Sequence, residues 1–166
     1  MSIRAFIPWP DPRLRTPAAP VAAVTEDIHG IWGDMIKTMD AMPGIGLAAP
    51  QIGIMQQLAV VDVSTHRNQR IRIANPVILE RSAETQVREE ASPNLPGVSA
   101  KICRPNAISL RYLDPDGMIV RRDFVGLEAT SVQHQIDHLN GRMFFDHLSK
   151  TKRDMLLRRA RKQRRG

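Results

Sequence analysis

His134 and His138 stand four residues apart in a stretch that reads as a helix from about Leu127 to Asn140. Residues i and i+4 share a helix face, so both imidazoles can reach one metal ion. A second segment, Gly44-Ile45-Gly46-Leu47-Ala48-Ala49-Pro50-Gln51-Ile52-Gly53, combines two useful features. Its glycines permit close approach of another backbone, and the Gln51 carboxamide offers two donors that could face a reacting oxygen. A third, Glu89-Glu90-Ala91-Ser92-Pro93-Asn94-Leu95-Pro96-Gly97-Val98, carries two acids ahead of a proline-broken loop. Taken singly each has an ordinary alternative. Histidine pairs occur on surfaces and in cores, and small-residue turns often follow helices.

The elements that must position these groups follow from periodicity. Thr25 predicts a helix N-cap with Glu26 and Asp27 in the first turn. Ile28, Ile31, Trp32, Met35, Ile36, Met39 and Met42 then repeat at the helical period and are expected to be core, until Pro43 and Gly44 end the helix. Strand-like runs cover 58–63, 71–73 with 77–79, and 85–88, and residues 91–99 read as a loop. Ile108 to Leu113 and Met118 to Phe124 flank Asp114-Pro115-Asp116-Gly117, a hairpin turn signal. Gly141 is placed to terminate the histidine helix, and Ser149 to cap a further one. Residues 1–20, with five prolines, read as an irregular surface arm. Strands followed by a helix packed on them predict an α+β fold.

Length and composition agree with one domain. The 166 residues are 42% apolar and 25% charged, which excludes disordered and collagen-like chains. No apolar run is long enough for a membrane span, and no signal-peptide core stands at the start, so a cytoplasmic protein with no membrane partner is expected. Cys103 is the only cysteine; it reads as a packed thiol in a strand. The net charge of +7 is localised. Residues 150–166 hold nine Lys or Arg and one acid, whereas residues 1–149 are almost neutral. The expected organisation is a domain over 1–149 and a basic helical tail over 150–166. Lys150, Lys152, Arg153, Arg158, Arg159, Arg161 and Lys162 could engage phosphate backbones, although no aromatic residue is interleaved for base stacking.

Together the three segments resemble the peptide deformylases. The Gly44 to Gln51 turn has that family's complete GxGLAAPQ pattern, and Gln133 to Gly141 follows its Gln-His-Glu-x-x-His helix closely. Glu89-Glu90, Pro96-Gly97-Val98 and Arg104-Pro105 frame the family's Glu-Gly-Cys-Leu-Ser loop, and Asp11 to Arg15 resembles its opening. The resemblance spans essentially the whole chain. It implies a deformylase-like fold with mixed or antiparallel strands around a central helix that carries the HxxxH pair. It also implies chemistry: removal of the N-formyl group from formylmethionyl polypeptides by one divalent ion, iron or zinc, held on one Cys and two His. By the same resemblance the peptide is expected to contact Ile45, Gly46, Gln51, Glu90 and Asn94, and a basic C-terminal helix can dock on the ribosome.

Three positions depart from the family. His134 and His138 carry over as metal ligands, but the third ligand is Ser92, whose neutral hydroxyl replaces a thiolate. The catalytic glutamate is Gln135, which cannot accept a proton. The residue whose backbone N–H would stabilise the oxyanion is Pro93, which has none. Gln51 and Gly46 remain from the oxyanion side, Asn94 replaces the loop serine, and neighbouring Asp137 is expected to be structural. The leading expectation is a deformylase-like protein with absent or vestigial hydrolysis and no metal or a weakly bound one. Its partners would be formylated or free peptide N-termini, or the ribosome through its tail. Two other readings stay open: an active metallohydrolase with an altered site, and an RNA-binding protein acting through its tail.

Overall fold

A computed structural model describes residues 2–165 of the chain. Helix α1 (Glu26–Ala41) starts where Thr25 accepts a hydrogen bond from the Ile28 amide at 3.4 Å, with Glu26 and Asp27 beside the free amides of its first turn. Ile28, Trp32, Met35, Ile36 and Met39 are buried on one face, so the methionine stripe is core.

That face lies on a five-stranded antiparallel sheet ordered β1 (Gly46–Ala48), β2 (Leu58–Val61), β3 (Ile71–Arg81), β6 (Ala107–Leu113) and β7 (Ile119–Val125). Strand β2 is buried on both sides because the sheet is covered on both. Leu58 and Val60 join the core under α1, whereas Ala59 and Val61 join a second core with Ala129 and Val132 of helix α2 (Gly126–Leu139). The sequence reads as two short runs, at 71–73 and 77–79, on either side of Pro76. The structure instead has the continuous β3, with an irregular register between Ala74 and Val77. Proline cannot donate to a ladder, and the bulge absorbs it. Asn75, at φ 51°, turns its carboxamide onto both the N–H and C=O of Val21.

Strands β4 (Thr85–Glu90) and β5 (Ala100–Pro105) form a separate antiparallel pair. Alternation along β5 buries Ile102 and Arg104 and turns Cys103 outward, opposite Val87. Cys103 is therefore exposed, correcting the packed thiol expected from sequence. The proline-rich start is also less superficial than expected, since Leu14, Ala18 and Val21 are buried.

Ser149 caps the C-terminal helix α3 (Lys150–Arg165), its hydroxyl accepting from the Lys152 amide at 3.3 Å. Leu156 and Ala160 are 1% and 2% exposed, packed in a third core with Leu14, Leu95, Phe144 and Phe145. No helix among the described residues is long and apolar enough to cross a membrane.

Candidate active site

Helix α2 packs against β1 and β2, so its histidine face meets the glycine-rich segment. Gly46 is required at that meeting. A Cβ there would stand 2.4 Å from Gln135 Nε2 and 2.5 Å from Ser131 Oγ, distances no side chain tolerates without displacement. Ser131 donates to the Ile45 carbonyl at 3.0 Å, fixing β1 to the helix. A cleft of about 460 Å³ opens at this junction. The three segments picked out in the sequence all reach it: Ile45, Gly46 and Gln51 from the first, Glu90, Ser92 and Pro93 from the second, His134 and Gln135 from the third. Leu127 and Val98 add apolar wall; in the sequence Val98 reads only as the end of the third segment and Leu127 only as the start of the histidine helix.

Behind the cleft is a buried charge network. His134 donates from Nδ1 to Glu90 Oε1 at 2.8 Å. Glu90 also receives both arms of Arg104, at 2.6 and 2.9 Å, and Arg104 continues to Asp137 at 2.9 Å. His147 bonds Asp137 at 2.7 Å. Burial alone would raise the Glu90 carboxyl, but hydrogen bonds from Arg104 and then His134 outweigh it and hold it at about 2. Asp137 is lowered in the same way, by His147 and Arg104 against its burial. Glu90 thus faces inward, orienting His134, and Asp137 has a structural role. Arg104 entered the sequence reading only as a flanking residue. The alternation that buries Ile102 buries it too, and a buried guanidinium requires carboxylates.

Ser92 and Asn94 are closed on their own side of the cleft. Gln51 donates to Asn94 Oδ1 at 2.9 Å and to Ser92 Oγ at 3.4 Å, while its carbonyl oxygen accepts from the Ala48 amide at 2.9 Å. Ser92 donates to Asn94 Oδ1 at 3.1 Å. Asn94 in turn donates to the Ile7 and Gln51 backbone carbonyls at 2.7 and 2.9 Å. Asn94 is 1% exposed and does not line the cleft, so its carboxamide is a strut rather than a peptide contact.

Two buried polar atoms here have no hydrogen-bond partner, Gln135 Oε1 and His138 Nε2. The rings of His134 and His138 are 5.0 Å apart by centroid. Burial first, and the charge of His134 second, push His138 well below the ordinary imidazole value, so it is neutral. Among the described residues no three His, Cys, Asp or Glu side chains form a set that could hold a metal ion. On α3, Lys150, Lys152, Arg158, Arg159, Arg161 and Lys162 are exposed and Arg153 is half-buried; none of these bases lines the cleft.

Comparison with known proteins gives the same family at each level. Residues 3–154 match the family described as polypeptide deformylase. A peptide deformylase of Rhizobium meliloti (strain 1021) is 43% identical over 161 residues, covering 96% of this chain and 92% of that protein. The crystal structure of peptide deformylase from Ehrlichia chaffeensis superposes with a TM-score of 0.92 at 33% identity, over 99% of this chain and 98% of that one. The Met-Ala-Ser-bound class I type b peptide deformylase from Acinetobacter baumannii superposes with a TM-score of 0.84 at 28% identity, over 89% of this chain and all of that one. Alike in sequence over nearly its full length, and alike in the path of its backbone, this chain belongs to the polypeptide deformylase family.

Proposed function

We propose that this member keeps the family's cleft as a binding site for peptide N-termini and has lost ordinary formamide hydrolysis. The observation that carries the reading is the engagement of Gln51 by Asn94 and Ser92. A hydrolytic site needs donors aimed at the developing oxyanion. Here both amide hydrogens of Gln51 point into the Ser92–Asn94 strut, and Pro93 has no N–H to replace them. Gln135 cannot act as a base.

The family is metal-dependent, and the donor set of this chain does not fit the family's ion. Two imidazoles and the neutral Ser92 hydroxyl lack the thiolate charge, and that hydroxyl already lies in the Asn94 hydrogen bond. His134 and His138 alone would hold a divalent ion weakly. What the residues can do without it is bind: the apolar walls at Ile45, Val98 and Leu127 suit an aliphatic or methionine side chain at the end of an extended peptide. The exposed bases of α3 support a second contact in the cytoplasm, with the phosphate-rich surface of the ribosome.

Elemental analysis of protein purified anaerobically without a tag, together with a formyl-Met peptide assay under added iron, nickel and zinc, tests the reading. Metal well below one equivalent and no turnover above background are expected. One equivalent of metal with turnover would establish the competing reading, an active hydrolase with an altered site.

A further inference from the structure

Strand β7 ends the five-stranded sheet, and among the described residues no other strand pairs with its outer side. Its ladder with β6 fixes which residues point outward. The Asp114 amide donates to the Met118 carbonyl at 3.0 Å, and the Gly126 amide donates to the Asn106 carbonyl at 2.9 Å. Antiparallel strands alternate bonded and non-bonded pairs, so the even-numbered residues of β7 bond inward to β6. Ile119, Arg121, Asp123 and Val125 therefore present their N–H and C=O groups at the free edge. Their side chains share one face, opposite to the face on which Val120 and Phe124 pack with α2. All four are exposed, Ile119 by 72% and Val125 by 65%, and none lines the cleft.

An edge of this kind is a template for another strand. Its side chains specify which strand that is. Against a second, antiparallel β7 related by a two-fold axis, the outward residues can pair in three central registers. Centring on Arg121 sets that arginine against its own copy, and centring on Asp123 sets two carboxylates together. Centring on Arg122 uses the full strand and places Arg121 opposite Asp123 of the partner subunit, and Ile119 opposite Val125 of the partner subunit. Each of these pairs occurs twice by symmetry. Opposite charges and apolar pairs directly across a ladder are favourable, whereas like charges are unfavourable. Within one chain Arg121 stands opposite Arg111, and its own contacts are long, 3.5 Å to Glu80 and 3.4 Å to Ser109. A carboxylate arriving from outside relieves that like-charge pair. The one unfavourable contact is Arg122 against its own copy. Glu128 at 3.7 Å and the Phe124 ring at 5.0 Å compensate that charge. We infer that β7 is a self-association surface, where two copies of this chain pair edge to edge about Arg122 and join their sheets into one.

A single strand pair is small beside the ~1,200 Å² or more of a stable interface, so a dissociation constant on the order of 10–100 µM is expected. Sedimentation of the full chain over about 5–500 µM should show a monomer passing into a dimer. Asp123→Lys should weaken the dimer at least about 10-fold, because it turns two attractive pairs into repulsive ones. Asp123 also accepts from Ser109 in its own chain, so a control for local damage is needed. The charge exchange Arg121→Asp with Asp123→Arg restores the complementary pairs and should recover the dimer, which a damaged strand would not. Cross-linking reads the register. In a Cys103→Ser background, Arg122→Cys should give a disulfide-linked dimer under mild oxidation, since Cα atoms of a central non-bonded pair lie about 4.5 Å apart. A monomer at every concentration that forms no cross-link overturns the inference. So does a dimer that Asp123→Lys leaves intact, or cross-linking from Arg121→Cys or Asp123→Cys in preference to Arg122→Cys.

Discussion

On the function proposed above, Ser92, Pro93, Asn94 and Gln135 replace different parts of one apparatus, and Gln51 holds two of them, Ser92 and Asn94. Restoring one part alone should achieve little. Gln135→Glu supplies a base but no third ligand, so activity on formyl-Met peptides is expected to stay at background. Ser92→Cys together with Pro93→Leu and Gln135→Glu should take up close to one equivalent of divalent metal and raise turnover by at least about 10³-fold. Adding Asn94→Ser should raise it further, because Gln51 then loses the acceptor at 2.9 Å that now holds its amide. Metal analysis and initial rates on the same preparations check the order. Turnover from Gln135→Glu alone would show that the chain already holds its ion.

The elements are held in register at the site by contacts too close for variation. Gly46→Ala forces the Gln135 carboxamide out of a 2.4 Å overlap and is expected to cost about 1–3 kcal/mol, read as a fall in Tm. Combining it with Gln135→Ala should recover part of the loss, a non-additivity that places the clash at this one contact. The link from β4 to α2 gives a pH signature. Glu90 ionises at about 2 in the folded chain against an ordinary 4.5. Its stabilisation is therefore fully present above about pH 4.5 and is lost as the pH falls towards 2. Glu90→Gln should destabilise by about 3 kcal/mol, the lower end for a broken buried pair because Arg104 keeps Asp137 at 2.9 Å. Its stability should also fall less steeply than that of the parent chain over the acid range. Denaturant titrations at pH 2.5, 4 and 6 compare the slopes.

At the scale of the molecule, α3 is both structural and basic, and the two functions lie on different faces. Leu156→Ala should cost about 2–5 kcal/mol through the third core. Charge reversal at Lys152, Arg158 and Arg159, all exposed, should leave Tm within a few degrees while weakening salt-dependent binding to ribosomes, measured by co-sedimentation at two ionic strengths. Undiminished sedimentation of that variant would remove the tail from the ribosome contact. Deleting 150–166 outright tests neither function cleanly, because it uncovers Leu14, Leu95 and Phe145 as well.

The helices, the hairpin, the family and most of the residues that gather at the cleft were legible in the amino-acid sequence, because each is written in local periodicity or in a motif that keeps its spacing. The Thr25 cap, the α1 stripe, Gly141 at φ 74° and the Ser149 cap are all local, and all stand where the residues predicted them. Tertiary structure alone decided what those residues face. The burial of Arg104 and exposure of Cys103 depend on which side of β5 the body covers. The continuity of β3 through Pro76 depends on a bulge stabilised by Asn75 gripping Val21, 54 residues away. Asn94 reads as a peptide contact in sequence and is a strut in space, since its partners Ile7 and Gln51 come from distant parts of the chain. Hydrogen-bond partnership is a property of pairs brought together by folding, and no local pattern encodes it.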